Sequence, residues 1–183
     1  RLLNYVCIPT ASSEASAAVP STACQFNLAH VLVEEMTALG LAGARVDEKC
    51  YVYGTIPATP GYEDRTRLGF IAHMDTVSDF ADHPVSPVAH PDYDGGDLDL
   101  GESGRSLTIQ TFPHLPSLKG RTLITSDGTT ILGADDKAGV AEILTMAEEL
   151  LKGDIPHGQI SIGFTPDEEV GRGADYFDVK GFG

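Results

Sequence analysis

The sequence predicts an α/β fold, a three-layer sandwich built around a largely parallel mixed sheet. Apolar runs of strand length alternate with amphipathic helical stretches, the order that builds βαβ units. Two of the runs, RLGFIAHMDTV and GQISIGFTPDEEVG, are apolar almost throughout, as strands buried on both faces are. Both then end in His, Asp or Glu, and in open α/β sheets the C-terminal strand ends line the crevice where ligands bind.

Residues 1–9 read as the end of an amphipathic helix, and SSEASAAVPST as a polar loop stopped by Pro20. A helix follows. Thr22 and Gln25 have capping-box spacing, Phe26, Ala29, Leu32, Val33, Met36 and Leu39 recur at three and four residues, and Gly40 ends it. ARVDEK and CYVYGTIPA alternate as short strands, and TPGYEDRT is a turn. RLGFIAHMDTV reads as a central, buried strand. Residues 78–119, rich in Pro, Gly and Asp around PDYDGGDLDLG, are too long for an ordinary connector and read as a functional loop or small subdomain. RTLITSDGTTILGADDK predicts short strands around a turn at Asp127-Gly128. A helix from about Asp136 to Lys152 follows, with Val140, Ile143, Leu144, Ala147, Leu150 and Leu151 as its buried stripe. Beyond the strand in GQISIGFT, GADYFDV opens a further helix.

At 183 residues and 42% hydrophobic content, the chain is sized for one domain or part of a larger one. Arg1 stands inside a helical pattern and KGFG has no capping element, so the sequence reads as a piece of a longer chain. The net charge of -15 argues against nucleic acid and anionic membrane as partners, since both need clustered Lys and Arg. No apolar run approaches the roughly 18 residues of a membrane helix. The three cysteines show no C-x-x-C spacing, which fits a reduced, cytoplasmic protein.

Three segments carry the chemistry. In AHMDT, His73 and Asp75 are two apart, so an extended strand points both to one side. The imidazole there suits a metal, and the carboxylate suits orienting it. In TPDEEVG, the adjacent Glu168 and Glu169 project differently, one toward a metal and the other toward its water as general base. In GADDKAG, one of Asp135 and Asp136 caps the helix while the other reaches the crevice. Alone, each is more simply a capped strand end, a solvated turn or a helix cap; their coincidence outweighs any one of them. Oxygen-rich ligands with one imidazole suit Zn²⁺, Mn²⁺ or Co²⁺, and a carboxylate bridging two ions about 3.5–4 Å apart gives a two-metal hydrolase.

LGFIAHMDT, TLITSDGTTILGADDKAGVAEI and GFTPDEEVGRGA resemble the metal-site motifs of the M20 metallopeptidases, and within them the aminotripeptidase branch. The likeness extends in order into VPSTACQ, YDGGDLDLG, IPHG and FDVKGFG, nearly the whole chain. It implies a zinc-peptidase-like catalytic domain with two Zn²⁺ per site, a small peptide as substrate, and cleavage of the N-terminal residue from tripeptides. By the same resemblance, His73 binds one zinc, Asp135 bridges both and Glu169 binds the other. Asp75 orients the site, and Glu168 takes a proton from the bridging water and passes it to the leaving amine. A cis peptide after Asp135 is implied as well. Two further ligands, an Asp and a His, and an inserted lid domain are not matched here. Residues 1–183 thus read as the N-terminal portion of the catalytic domain, and activity of this piece alone stays open, as does homo-oligomerisation. The other readings left open are an M20-type dipeptidase, an N-acyl amino-acid deacylase and a non-catalytic metal-binding scaffold.

Other polar residues are read as structural. His30, His83, His90, His114 and His157 have no second ligand at helical or strand spacing. Asp94, Asp97 and Asp99 lack the spacing of a calcium loop and read as a solvated turn or substrate-facing loop. The glycines at 171 and 173 lack the helix context of a dinucleotide site. Lys137 is expected to pair with nearby carboxylates.

Overall fold

The computed structural model describes residues 1–183. In chain order its elements are α1 (Leu2–Val6), α2 (Gln25–Leu39), β1 (Ala42–Val46), β2 (Val52–Ile56), β3 (Leu68–His73), β4 (Pro87–His90), β5 (Leu98–Asp99), β6 (Ser106–Leu107), a 3-10 turn (Leu115–Leu118), β7 (Leu123–Ser126), α3 (Ala134–Lys152), β8 (Ile160–Thr165) and α4 (Val179–Phe182).

The main sheet is mixed, as expected, with order β1-β2-β8-β3; one of its three pairings is parallel, fewer than in the largely parallel sheet the sequence suggested. β3 and β8 are parallel, with His73 opposite Thr165; β1–β2 and β2–β8 are antiparallel. Every residue of β8 is buried, as its unbroken apolar run requires of a strand with neighbours on both sides. β3 has a similar composition but lies at the edge of this sheet, with Leu68 and Ile71 about half exposed. The expectation of a central, buried β3 is corrected in that respect, because local composition does not encode strand order.

Alternation sorts side chains between the two faces. Val52, Ile56, Ala72, Ile160, Ile162 and Phe164 join Leu28, Leu32, Met36, Val140 and Leu144 of α2 and α3 in the core. On the other face, Phe177 packs edge-on to Tyr51 and to Phe182, and Gly163 leaves room for both phenylalanines. Arg1 ties the helical layer together, binding Glu35 of α2 and Glu148 of α3 at 2.5 Å each.

Several local expectations changed. α2 begins at Gln25 without a side-chain cap, because Thr22 Oγ1 donates to the Ala11 carbonyl and Gln25 is drawn to Asp167. β7 does not fold back across Asp127-Gly128. It pairs with β4 instead, and Asp127 closes the turn by accepting from the Thr129 amide at 2.9 Å. Residues 78–119 hold β4, the small β5–β6 ribbon and the 3-10 turn. The last helix starts at Val179 rather than within GADYFDV, where Asp178 caps it by accepting from the Gly181 amide. In α3, Leu151 is exposed at 37%, so the buried stripe ends earlier than the periodicity suggested. No helix is long and apolar enough to cross a membrane.

The three cysteines are free: Cys7 is exposed and Cys50 is buried. Burial, helped by the charges of Asp47 and Asp167, raises the Cys50 thiol well above its ordinary pKa. Thiol titration of the native protein is expected to leave Cys50 silent until denaturant is added. Native-state reaction of Cys50 would instead show that the start of β2 opens.

Candidate metal centre

Parallel pairing of β3 and β8 sends both strands toward the same edge, so residues 73–76 and 166–169 leave the sheet side by side. The first of these segments is strapped down by the chain after α1. Thr10 Oγ1 donates to the Met74 carbonyl at 2.8 Å, and the Ser12 amide donates to the Thr76 carbonyl at 3.0 Å. Gly133, at φ 71, brings the start of α3 close against Thr76, where a side chain would collide.

The five residues expected at the site, His73, Asp75, Asp135, Glu168 and Glu169, are brought together. His73 Nδ1 lies 3.0 Å from the backbone oxygen of Asp75 and 3.4 Å from its Oδ1. A carbonyl only accepts, so Nδ1 carries a proton and Nε2 is the nitrogen turned to the cleft. There it stands 3.1 Å from Asp135 Oδ1 and 3.8 Å from Glu168 Oε2. Burial opposes a charge on His73, but the hydrogen bond and charge of Asp75 and the contact with Asp135 outweigh it. The pKa is lifted to about 9.

Asp75 is fully buried and does more than orient the imidazole. Its Oδ1 accepts from the Glu168 amide at 2.9 Å and its Oδ2 from the Glu169 amide at 3.1 Å. One carboxylate thereby joins the end of β3 to the turn after β8. Burial favours the neutral form, yet His73 and these amides hold the pKa below the usual carboxylate value. Glu169 is shifted the other way, raised first by burial and then by Asp75, Asp135 and Glu168, with His73 opposing.

The two aspartates at the start of α3 divide the work. Their peptide bond is cis, as the resemblance implied, and neither has helical dihedrals. Asp136 Oδ1 accepts from the Gly139 amide at 3.1 Å and caps the helix. The Asp135 side chain is 90% exposed and faces His73.

The glutamates open onto different depressions. Glu168 borders an apolar groove of about 420 Å³ with Ile71, Ala174, Phe177 and Val179. Glu169 borders a polar one of about 410 Å³ with Ser12, Ser13, Glu14, Ser78 and Asp79.

In type, the donors fit a divalent cation: one buried imidazole with a fixed tautomer, opposed by carboxylates. The side chains meet in pairs, and no three of them close around one point. The remaining histidines lie elsewhere. His83 and His90 bond Thr129 and Thr125, and His157 bonds the Gly158 carbonyl. Asp94, Asp97 and Asp99 accept from Gly96, Ile109 and Ser106, all within residues 78–119.

Lys137 departs from expectation. It is buried and makes no carboxylate pair; its Nζ donates to the Ile8 carbonyl at 2.7 Å. Burial lowers its pKa to about 8 against the opposing pull of Cys24, Cys7 and Asp75. Sequence reasoning also missed Ser21, Gln25 and Asp167, which bond one another behind the glutamates. Their only local signal is an Asp between a Pro and two Glu.

The fold, an α/β domain with acids and an imidazole at the ends of a parallel strand pair, is the one that the resemblance to M20 peptidases implies. No family model matches the chain. It is 49% identical over 184 residues to peptidase T of Clostridium perfringens, covering all of this chain and 45% of that one. Against peptidase T of Aliivibrio fischeri the identity is 52%, covering all of this chain and 44% of that one. The crystal structure of a tripeptidase from Staphylococcus aureus superposes with a TM-score of 0.65 at 29% identity, covering 98% of this chain and 38% of that one. Similarity to peptidase T runs along the whole of this chain, which spans about 45% of the length of the curated relatives it matches.

Proposed function

We propose that the protein containing this chain is a two-zinc aminopeptidase that hydrolyses the N-terminal residue from tripeptides, acting in the cytoplasm on small free peptides. The observation that carries the reading is the convergence of His73, Asp75, Asp135, Glu168 and Glu169 where β3 and β8 end together. The 49% identity to peptidase T along the whole of this chain supports it. Residues 1–183 are read as the N-terminal portion of the catalytic domain.

In this proposal His73, through Nε2, would hold one zinc, Glu169 the other, and Asp135 would serve both. Mn²⁺ and Co²⁺ suit the same donors. Bound there, the ions supply a Lewis acid for the scissile carbonyl and lower the pKa of water. The chain's own residues do the rest. Asp75 keeps the His73 tautomer and anchors the glutamate backbone. Glu168, with a 57% exposed side chain at 3.8 Å from His73, is placed to accept a proton from the attacking water and to return it to the departing amine. The polar depression with Glu14, Asp79 and Glu169 offers negative charge to the free ammonium of a peptide.

The test uses the complete, zinc-loaded protein and three substrates: a free tripeptide, the same tripeptide acetylated at its N-terminus, and the matching dipeptide. Release of the N-terminal residue from the free tripeptide alone is expected. Cleavage of the acetylated compound would make the protein a deacylase, and cleavage of the dipeptide alone a dipeptidase. Failure on all three would leave a metal-binding scaffold.

A further inference from the structure

The turn that carries the two glutamates is held from behind by a polar cluster in the protein interior. Asp167 is 0% exposed and sits at φ 55, a left-handed conformation that side chains other than glycine, Asn and Asp rarely adopt. Its Oδ2 accepts from the Ser21 amide at 2.7 Å. Its Oδ1 accepts from the Ser21 hydroxyl at 2.5 Å and from Gln25 Nε2 at 2.8 Å. Its own amide donates to Gln25 Oε1 at 3.2 Å, so Gln25, itself fully buried, reads both ends of the residue. All of these side-chain partners are neutral. Burying a carboxylate among neutral donors is costly unless its lone pairs are filled, and a site that only needed filling would take an apolar side chain.

What the cluster controls follows from its place in the chain. Asp167 directly precedes Glu168 and Glu169, whose amides point at Asp75. The turn is therefore clamped between two carboxylates. Asp75 holds its backbone from the β3 side, and the start of α2 holds Asp167 from the other. Adjacent residues then diverge into separate depressions, Glu168 into one and Glu169 into the other.

We propose that Ser21, Gln25 and Asp167 form a positioning cluster that sets the directions of the tandem glutamates, with Asp167 a positioning residue that touches neither substrate nor metal. The inference rests on the functional reading above for the glutamates' roles. Its mechanism is geometric: release of Asp167 lets the turn rotate about the Asp75 anchor and displaces both Glu side chains. A displacement on the order of 1 Å costs about 100-fold in rate.

Exchange of donor and acceptor provides the test, in the complete zinc-loaded protein. In Asp167→Asn the side-chain amide faces Gln25 Nε2, donor against donor. The expected result is a kcat lowered about 100-fold with KM little changed, and zinc affinity lowered about tenfold. Combining it with Gln25→Glu turns the pair around: the Asn amide donates to the new carboxylate, the residue 167 backbone amide keeps its acceptor, and the buried charge is conserved. The double variant is expected to regain most of the kcat and the zinc affinity. Loss in the single variant without recovery in the double, or no loss in a folded single variant, overturns the proposal. Should Asp167→Asn fail to fold, Gln25→Met removes its bonds while Ser21 still serves the carboxylate; unchanged kcat and zinc affinity there would also overturn it. Zinc affinity is measured by chelator competition independently of turnover. If the wild-type protein cleaves no tripeptide yet zinc affinity follows this pattern, the peptidase reading fails and the positioning cluster stands.

Discussion

Replacing Glu168 by glutamine in the complete, zinc-loaded protein is expected to lower kcat by about 100- to 10,000-fold, the usual contribution of a positioned general base. Stability and zinc content should change little. The Glu168 side chain makes no hydrogen bond, is more than half exposed and approaches His73 only at 3.8 Å. Its backbone amide, bound to Asp75, is untouched by the substitution. Glutamine keeps the shape and cannot accept the proton. Steady-state kinetics beside metal analysis of the purified variant checks this. Loss of zinc with the activity would make Glu168 a ligand and leave the base unassigned.

Asp75→Ala is expected to do the opposite kind of damage, lowering stability, metal affinity and activity together. Its carboxylate takes the amides of Glu168 and Glu169 and lies 3.4 Å from His73 Nδ1, which in the variant keeps only the backbone oxygen of residue 75. Leaving a buried donor without a partner costs about 1–3 kcal/mol, so the two amides alone should lower the unfolding free energy by roughly 2–6 kcal/mol. Zinc affinity should fall about 10- to 100-fold, as it does when the group behind a ligating histidine is removed. Denaturant melts and chelator competition on the same preparation read both effects. A variant of normal stability and zinc affinity would mean that His73 and the glutamate turn are held by something other than Asp75.

The contrast between these variants follows from how each residue could be read in the sequence. Glu168 and Glu169 stand at the end of an apolar run that reads as a strand; β8 is one, buried along its whole length. His73 and Asp75 were legible for the same reason. At GADDKAG the chain itself showed two carboxylates at a helix start, and Asp136 does cap α3 while Asp135 faces the histidine. None of that shows Asp75 accepting from the Glu168 and Glu169 amides, since a backbone amide has no signature in sequence.

Where side chains had long-range employment, local rules misled. Thr22 and Gln25 have the spacing of a capping box, but Gln25 bonds Asp167, 142 residues away, and α2 starts without a cap. Lys137 sits among acids in sequence and binds a carbonyl 129 residues away along the chain. β7 looked like half of a local hairpin and took β4 as its partner.

By itself the sequence determined the segments: which runs are strands and helices, which of them end in acids or histidine, and which helix start carries two carboxylates, one to cap and one to reach out. Periodicity and short-range sterics set those properties, and both act within a few residues. Only the tertiary structure decided that β3 and β8 run parallel and deliver their ends to one place, that a single buried carboxylate joins them, and that Ser21, Gln25 and Asp167 stand behind the glutamates. Those outcomes depend on hydrogen bonds between residues about ninety to 146 positions apart, which form only where burial removes water as the competing partner.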